Sequence, residues 1–380
     1  MKKILITSNL YLPNIGGIEN SLYYLADAGI ENNDDVTIIA SDIIDEHNIS
    51  SQNRKKINCT LLKYNVPSKK CKVYNILRHY YNAYKLYKKI NKNGCDLVIA
   101  RFHFNVLLAY FAGLKNILYV VPGVIKYQNS PADMNDNKNL FFSNIKFNLH
   151  SLVQYHAFKR SRKIYVFSNN MEEQIKSIIP NIDIYRTLPG IDYIKFSLSK
   201  IIIDKKVNLL IISRLVSVKN IGMAIKSLQY LNSKYTLTIV GDGADKNMLE
   251  TLAKTLNLAG RIIFEGLQSE VVQYYHNAHI FLLPSTYEPF GQTILEASSC
   301  GVPTVSFNSN IVNTDTTNIL GDLGVFSNQL NALDYSKAIE VAFNRFYIEK
   351  STRREDLRES IIEKYSWSNL YKDLLKDVNE

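Results

Sequence analysis

The sequence predicts an α/β protein built from two Rossmann-like units. Short apolar runs rich in branched side chains alternate with helical stretches, which is typical of parallel sheets covered on both faces. The series of predicted strands restarts at Val207, after the irregular segment RTLPGIDYIKFSLSK. A chain of 380 residues is also too long for one ordinary core. These observations place a linker near residues 188–200, with one unit on each side of it.

The predicted strands follow one another in the same way in both halves. In the first half they are the runs KILITS, VTIIAS, DLVIA, NILYVV and KIYVFS. In the second half they are NLLIIS, YTLTIV, RIIF, HIFLLP and VPTVSF. Helices are expected to begin near Ile18 and Ile221 and just after Gly291. No repeat of solenoid period and no low-complexity segment interrupts this order.

The composition is that of an ordinary soluble globular protein, with 46% hydrophobic and 21% charged residues. No run of about 18 apolar residues occurs, so no membrane-spanning helix is expected. The start, MKKILITSNL, suits a first strand better than a signal peptide. The four cysteines form no C-x-x-C pair, which favours reduced thiols. We therefore expect a cytoplasmic protein.

Positive charge is concentrated in the first half of the chain. Residues 1–190 carry 25 Lys and Arg against 14 Asp and Glu, whereas residues 191–380 carry 20 against 21. Between His47 and Cys95 there is no acidic residue at all. Such a field predicts that the first half meets an anionic surface.

A helix predicted from Val73 to Lys92 carries part of this charge. At helical spacing its apolar side contains Val73, Ile76, Leu77, Tyr80, Tyr84 and Tyr87. Its opposite side contains Arg78, Lys85, Lys89 and Lys92. The pattern fits an ordinary solvated face and also fits attraction to anionic lipid headgroups. Nucleic acid is the weaker alternative because no nucleic-acid motif accompanies the charge.

Two loops after predicted strands have the chemistry to hold phosphate. Gly16 and Gly17 follow the first strand and open a helix, whose amino terminus favours an anion. Arg214 and Lys219 follow the run NLLIIS and precede the next helix, where two cations suit a departing diphosphate. Each signal alone is also compatible with a purely structural or solvated role.

The segment EPFGQTILE follows the run HIFLLP. Pro289 bars helix at Glu288, and Gly291 frees the backbone where the helix begins. Glu288 is therefore expected to project into a ligand cleft beside exposed N–H groups of residues 290–293. Glu296 lies about two turns into the helix, where a carboxylate could accept from the paired hydroxyls of a ribose.

Taken in order, these segments resemble the large retaining glycosyltransferase family 4. The resemblance rests on PNIGGIE, LPGIDYIKF, SRLVSVKN, LTIVGDG and the long stretch from IIFEGLQ through STYEPFGQTILEASSCGVPTVS. The terminal YSWSNLYKDLL is similar to the last helix of that family. The resemblance implies the GT-B fold, with two Rossmann-like domains facing across a cleft. The first domain would span residues 1–188 together with a returning helix at 364–380, and the second would span 189–363.

The resemblance also implies a role for each motif residue. The expected catalytic residues are Glu288, Lys219 and Arg214. The expected donor-binding residues are Gly16, Gly17, Gly266, Leu267, Gln268, Phe290, Gly291, Gln292, Thr293 and Glu296. Arg214 and Lys219 would hold the nucleotide diphosphate, Glu288 would orient the sugar and Glu296 would bind the ribose. The loop at Gly266 would line the base.

Three departures from the family pattern bear on the acceptor. Pro122 stands where a histidine is common, and His103 is a nearby but different residue, so both are weak acceptor-side candidates. Ser213 stands where glycine is usual. The stretch beyond Val305 lacks the usual glutamate.

The function expected is transfer of a hexose-type sugar, with retention, from a nucleotide-sugar, preferably a UDP-sugar. The acceptor expected is a lipid-linked or cell-surface glycan, and the location expected is the inner face of the cell membrane. No resident cofactor and no metal are expected, since the chain has no D-x-D motif. The missing histidine leaves open a catalytically impaired nucleotide-sugar-binding subunit. A nucleotide-sugar epimerase is a further alternative.

Overall fold

The computed structural model describes residues 1–12, 14, 17–42, 57–64, 73–127, 140–200, 206–349 and 353–376. The chain divides into two compact units. Unit 1 comprises Met1–Gly190 and Trp367–Glu380, and unit 2 comprises Ile191–Ser366. No helix among these described residues has the length and apolar character needed to cross a membrane.

Unit 1 contains one parallel sheet. Its strands are β1 (Lys3–Thr7), β2 (Asp35–Ser41), β3 (Thr60–Tyr64), β4 (Leu97–Ala100), β5 (Ile117–Val120), β6 (Lys163–Val166) and β7 (Ile184–Arg186). They lie in the order β3-β2-β1-β4-β5-β6-β7, with every neighbouring pair parallel. The central strands β4 and β5 are buried throughout, as their continuous apolar runs predict.

Unit 2 contains a second parallel sheet and a small ribbon. Its strands are β8 (Val207–Ile212), β9 (Tyr235–Val240), β10 (Ile262–Gly266), β11 (Ile280–Leu283), β12 (Tyr287–Glu288), β13 (Thr304–Phe307), β14 (Asn313–Thr314) and β15 (Val325–Ser327). The main sheet has the order β10-β9-β8-β11-β13-β15, and β12 pairs with β14. Two parallel sheets with helical crossovers confirm the predicted fold class, an α/β chain with two Rossmann-like units.

Helices connect the strands along the chain. In unit 1 they are α1 (Gly17–Glu31), α2 (Val73–Asn93), α3 (His103–Phe111), α4 (Leu140–Arg160) and α5 (Asn169–Ile178). In unit 2 they are α6 (Ile221–Ser227), α7 (Lys246–Thr255), α8 (Val272–Asn277), α9 (Gln292–Ser299), α10 (Thr316–Leu320), α11 (Ala332–Phe343) and α12 (Arg353–Lys364). Helix α13 (Trp367–Leu375) returns the chain to unit 1.

Helix α13 packs on α1 and completes one of the two cores of unit 1. Trp367 stacks on Tyr24 with ring centroids 5.4 Å apart, and Tyr371 donates a hydrogen bond to Asp34 at 3.0 Å. Gly29 on α1 permits this approach, since a Cβ there would lie 2.9 Å from the Tyr371 hydroxyl oxygen. The opposite core, between the sheet and helices α2 to α5, contains Tyr87.

Helix α2 spans Val73–Asn93, close to the predicted bounds. Its buried side contains Ala83 and Tyr87, and Arg78, Lys85, Lys89 and Lys92 are exposed. One assignment to the apolar side is wrong: Leu77 is 65% exposed. The buried side also contains His79, which a simple apolar pattern passes over. Of the basic residues between His47 and Val73, only Lys63 lies among those described.

Candidate active site

The candidate site of unit 2 lies at the carboxyl edge of its sheet. Strand order runs one way from β8 to β9 and β10, and the other way from β11 to β13 and β15. The loops after β8 and β11 are therefore neighbours at the point where the order reverses. Open parallel sheets bind their ligands at such switch points.

The loop after β8 is held in place by a glycine turn after β9. A Cβ on Gly241 would lie 1.9 Å from the carbonyl oxygen of Ser213, and the φ of Gly241 is +136°. Leu215 donates from its backbone N–H to the carbonyl of Asp242 at 2.9 Å. Only glycine fits this close approach. Gly241 is a supporting residue missed by sequence reasoning, although its G-D-G triplet directly after a strand could have indicated it.

Lys219 and Glu288 form an ion pair across the two loops. Lys219 ends a short 3₁₀ turn, and its Nζ donates a hydrogen bond to Oε2 of Glu288. Their side chains are only 15% and 12% exposed, so the pair is shielded from solvent more than a surface pair would be. The backbone N–H of Thr286 donates to the carbonyl of Val218 at 2.9 Å, which ties one loop to the other.

Glu288 lies in strand β12 and not in a free loop. Its register partner is Thr314 of β14, and the N–H of Asn313 donates to the carbonyl of Thr286 at 2.9 Å. The stretch beyond Val305, which departs from the family pattern in sequence, therefore supports the backbone that carries Glu288. As expected from Pro289, no helix begins at this position.

Helix α9 begins immediately after this strand. Its N-cap is Gly291, whose φ of +95° lies in the left-handed region that glycine favours. The first residues of the helix are Gln292 and Thr293, both half-buried. The Phe290 side chain is buried, and its ring centroid lies 5.9 Å from that of Tyr365, so it packs in the core. The amino end of α9 carries the positive end of the helix dipole toward the Glu288 loop.

Glu296 lies in the second turn of α9. Tyr275 donates its hydroxyl proton to Oε2 of Glu296 at 2.8 Å. Burial raises the pKa of the Glu296 carboxyl to about 7, against the lowering effects of the Tyr275 hydrogen bond and the Lys195 charge. Tyr275, a fully buried residue of α8, is a supporting residue that sequence reasoning missed.

The remaining predicted residues of unit 2 lie on loops of the same edge. Arg214 is exposed and follows β8. Gly266 ends β10 with a φ of +69°, and its carbonyl accepts from the N–H of Gly241 at 2.8 Å. Leu267 is 49% exposed, and Gln268 donates to the carbonyl of Glu265 at 2.8 Å. The loop proposed to line the base is thus joined to the glycine turn that supports Lys219.

The predicted residues of unit 1 form a separate group. Gly17 begins α1, and a Cβ there would meet no atom of the described residues within 4 Å. Gly16 lies outside the described residues. Pro122 is half-buried just after β5.

His103 is buried at the start of α3, where its Nε2 lies 3.0 Å from Nδ1 of His150. Burial, together with the charge of His150, lowers the pKa of His103 to about 3, so its imidazole is neutral at physiological pH. The structure therefore places His103 in the interior, in a hydrogen-bonded histidine pair.

Among the described residues, no group of three or more His, Cys, Asp or Glu side chains could hold a metal ion. Positive charge at the Glu288 loop comes from Lys219, from Arg214 and from the amino end of α9.

Comparison with known proteins identifies the class. The glycosyltransferase family 4 model matches residues 15–193, and the model for glycosyl transferases group 1 matches residues 195–361. With the two parallel sheets, these matches define a glycosyltransferase of the GT-B fold. Within that class the chain belongs to the family 4 type.

Two solved structures share the fold over their full length. Sucrose-phosphate synthase from Thermosynechococcus elongatus is 16% identical with a TM-score of 0.77, covering 99% of this chain and 98% of its own. HepE from Anabaena, in complex with UDP-glucose, is 14% identical with a TM-score of 0.73, covering 100% of both chains. Likeness at this identity establishes the fold.

Sequence relatives match over part of their length. An N,N'-diacetylbacillosaminyl-diphospho-undecaprenol alpha-1,3-N-acetylgalactosaminyltransferase from Campylobacter jejuni is 29% identical over 182 residues, which is 46% of this chain and 47% of the relative. The chain thus aligns with about half of the length of this curated relative.

Proposed function

We propose that this protein transfers a sugar from a nucleotide-sugar donor to a lipid-linked glycan acceptor. The observation that carries the proposal is the pairing of Lys219 with Glu288 beside the amino end of α9, at the switch point of the unit 2 sheet. A cation, a carboxylate and a helix amino terminus in one place match the parts of a nucleoside diphosphate joined to a sugar.

Each part of the donor has a suited group in unit 2. The diphosphate is held by Lys219, Arg214 and the N–H groups that begin α9. Glu288 accepts hydrogen bonds from sugar hydroxyls, and the backbone N–H groups at residues 290–291 donate to them. Glu296 accepts from the ribose diol, and the loop at Gly266 lies against the base. A UDP-sugar is the preferred donor, and the UDP-glucose complex of the structural neighbour HepE supports that preference.

The reaction proposed retains the configuration of the sugar. The bond from the anomeric carbon to the donor phosphate breaks, and its electron pair leaves with the nucleoside diphosphate. The acceptor hydroxyl oxygen bonds to the anomeric carbon on the same face, and its proton passes to an oxygen of the departing phosphate. Lys219 and Arg214 stabilise the charge that develops on that phosphate, so the chemistry we propose needs no metal.

The acceptor proposal rests on unit 1. Exposed cations line α2, and the lipid-linked acceptor in the name of the Campylobacter relative fits an enzyme that works at a membrane. Attachment would be electrostatic, through anionic headgroups, and sensitive to salt. Residues Leu77 and Tyr81, both more than half exposed on α2, add apolar contact area to this surface.

One specific observation favours a second candidate function. Pro122 occupies the place where a histidine is common in the family, so a nucleotide-sugar-binding subunit without catalysis is the alternative. The two candidates share the donor site and differ in turnover.

Both are tested with the purified full chain and a panel of UDP- and GDP-sugars. Each donor is tested for thermal stabilisation, and a donor at 100 times its dissociation constant adds ~2.7 kcal/mol to the free energy of unfolding. Release of free nucleoside diphosphate is then followed with the stabilising donor. Stabilisation with slow hydrolysis supports the enzyme, and stabilisation without hydrolysis or transfer supports the binding subunit. Conversion of the sugar without nucleotide release would identify an epimerase, and no stabilisation by any donor would overturn the proposal.

A further inference from the structure

Arg101 occupies the switch point of the unit 1 sheet. It is the first residue after β4, and its backbone N–H donates to the carbonyl of Thr7, the last residue of β1, at 2.8 Å. Strand order in this sheet reverses between β1 and β4. The Arg101 side chain therefore starts from the place where an open parallel sheet binds its ligand.

Two of the three guanidinium nitrogens of Arg101 are buried without a hydrogen-bond partner. The residue is 4% exposed, and its Nε and Nη1 atoms are buried without a hydrogen-bond partner. Its central carbon lies 5.1 Å from the centroid of the half-buried Phe167 ring. Within the described part of the chain, no carboxylate forms a salt bridge with it.

Burial lowers the pKa of Arg101 to about 10, although the charges of Tyr119 and Glu19 act in the opposite direction. The side chain is therefore still a cation at physiological pH. A buried cation without a hydrogen-bonded partner destabilises a fold, because it has lost its water and gained no anion. Buried polar groups without partners are rare, and each calls for an explanation.

The surroundings suit an anion. The amino end of α1 follows β1 along the chain, so it lies at the same carboxyl edge of the sheet as Arg101, and the charge of Glu19 in its first turn acts on Arg101. Among the described residues, no atom would lie within 4 Å of a Cβ placed on Gly17. An incoming oxyanion would meet N–H donors from a helix amino terminus and from a guanidinium, the two groups that proteins most often use for phosphate.

We propose that Arg101 binds the phosphate of a phosphate-bearing acceptor, such as a glycan joined to its lipid through phosphate. The inference rests on the proposed transferase function and adds a substrate class to it. Unit 1 would then recognise the acceptor by its phosphate as well as by its sugar, and an acceptor that lacks phosphate would bind more weakly. The donor diphosphate is the other possible source of the anion.

Arg160 provides a matched control. Its guanidinium carbon lies 5.0 Å from the Tyr110 ring and its Nε is also buried without a partner. It ends α4 just before β6 begins, however, and so lies at the amino edge of the sheet. Arg160 is half-buried, and it shares with Arg101 the buried Nε and the ring contact. A general effect of removing such an arginine appears in Arg160→Met as well as in Arg101→Met, whereas a ligand effect appears only in Arg101→Met.

The first experiment measures melting temperature of the full chain with inorganic phosphate at constant ionic strength. Saturating UDP is present in every sample, so that the donor phosphates are already supplied. We expect phosphate to raise the melting temperature of wild type and Arg160→Met by roughly 2–4 °C, and to leave Arg101→Met unchanged. We also expect Arg101→Met without phosphate to be at least as stable as wild type, because it removes an unpaired charge. Failure of Arg101→Met to fold, or an equal response to phosphate, would overturn the proposal.

The second experiment measures phosphate affinity by calorimetry in wild type, Arg101→Lys and Arg101→Met. Loss of a charged hydrogen bond is expected to weaken phosphate binding at least about tenfold in Arg101→Met, with Arg101→Lys in between. If phosphate binds wild type only when UDP is absent, the anion of the donor is the ligand and the acceptor assignment is wrong. A wild type that UDP does not stabilise contradicts the proposed function and not the phosphate site, so the two failures are distinguishable.

Discussion

Arg101 of unit 1 and Lys219 of unit 2 follow strands at the switch points of their sheets, yet they differ in their partners. Lys219 is hydrogen-bonded to Glu288, whereas Nε and Nη1 of Arg101 have no hydrogen-bond partner. The two halves of the chain also differ in net charge. Residues 1–190 carry 25 Lys and Arg against 14 Asp and Glu, whereas residues 191–380 carry 20 Lys and Arg against 21 Asp and Glu. In unit 2 the charge of Lys219 is balanced by Glu288, whereas among the described residues of unit 1 no carboxylate forms a salt bridge with Arg101.

This difference has an energetic consequence for binding. A donor that engages Lys219 must replace an existing ion pair, so the net gain is the difference between two interactions. An anion that binds Nε and Nη1 of Arg101 replaces no existing hydrogen bond at these atoms. We therefore expect donor binding to owe more to the helix amino terminus and the ribose contact than to Lys219, whose charge matters most in the transition state.

The largest effect should come from the exposed charge of unit 1. Replacement of Arg78, Lys85, Lys89 and Lys92 by Gln should weaken binding to anionic vesicles by roughly two to three orders of magnitude, since each basic residue near the surface contributes about 1 kcal/mol. Vesicle sedimentation at low and high salt measures this, and high salt should release the wild type.

The control for that experiment replaces four exposed lysines of unit 2: Lys226, Lys254, Lys337 and Lys364. This control should bind vesicles as wild type does. If neutral and anionic vesicles bind the wild type equally, or neither binds it, the charge of α2 is only a solvated face.

The next largest effect tests the ion pair of unit 2. Lys219→Ala and Glu288→Ala should each reduce turnover on the order of 10² or more while the protein stays folded, because each removes a charge at the reacting end of the donor. Steady-state kinetics and circular dichroism check this. Lys226→Ala, an exposed lysine of α6, is the matched control. Normal turnover in folded Lys219→Ala protein would remove Lys219 from the reaction.

A smaller effect tests the support of the Lys219 loop. Gly241→Ala should destabilise the protein by about 1–3 kcal/mol, because its Cβ would overlap the Ser213 carbonyl and its φ of +136° disfavours any side chain. Urea denaturation measures the loss. Gly260→Ala is the control, since a Cβ there meets no atom within 4 Å. Equal stability of the two variants would show that the loop adjusts without cost.

The last effect on stability concerns pH. The pKa of Glu296 is raised from 4.5 to about 7 in the folded protein, so the folded state holds a proton that the unfolded state has released between these values. Its contribution to stability is therefore lost as pH rises from about 4.5 through about 7. Glu296→Gln should remove this part of the pH dependence, as measured by urea denaturation at pH 5 and pH 8.

Donor affinity gives a second readout for the same residue. Glu296→Ala should weaken donor binding with little effect on turnover at saturation, because a ribose contact is made equally before and during the reaction. Unchanged donor affinity would make Glu296 an ordinary helix residue that Tyr275 happens to contact.

Sequence patterns recovered the central strands and the edge strand β10, and missed the edge strands β3, β7 and β15. The runs that became β1, β4, β5, β8 and β11 are short, continuous and apolar, and strands buried on both faces need such runs. Strand β3, with the sequence TLLKY, is mostly exposed at the edge of the sheet, so nothing in its composition marks it. Strands β12 and β14 have two residues each and depend on each other for their existence.

By itself the sequence determined which residues end strands and begin helices, because these depend on neighbours within a few positions. Gly291, Pro289 and the apolar run before them identify a strand–loop–helix junction without knowledge of the fold. Only the tertiary structure decided which side chains form hydrogen bonds with one another. Lys219 meets Glu288 across 69 residues because β8 and β11 are adjacent, and Glu296 meets Tyr275 from another helix. For the same reason, Nε and Nη1 of Arg101 have no hydrogen-bond partner. Pairing of buried charges depends on strand order, because strand order brings together residues that are far apart in sequence.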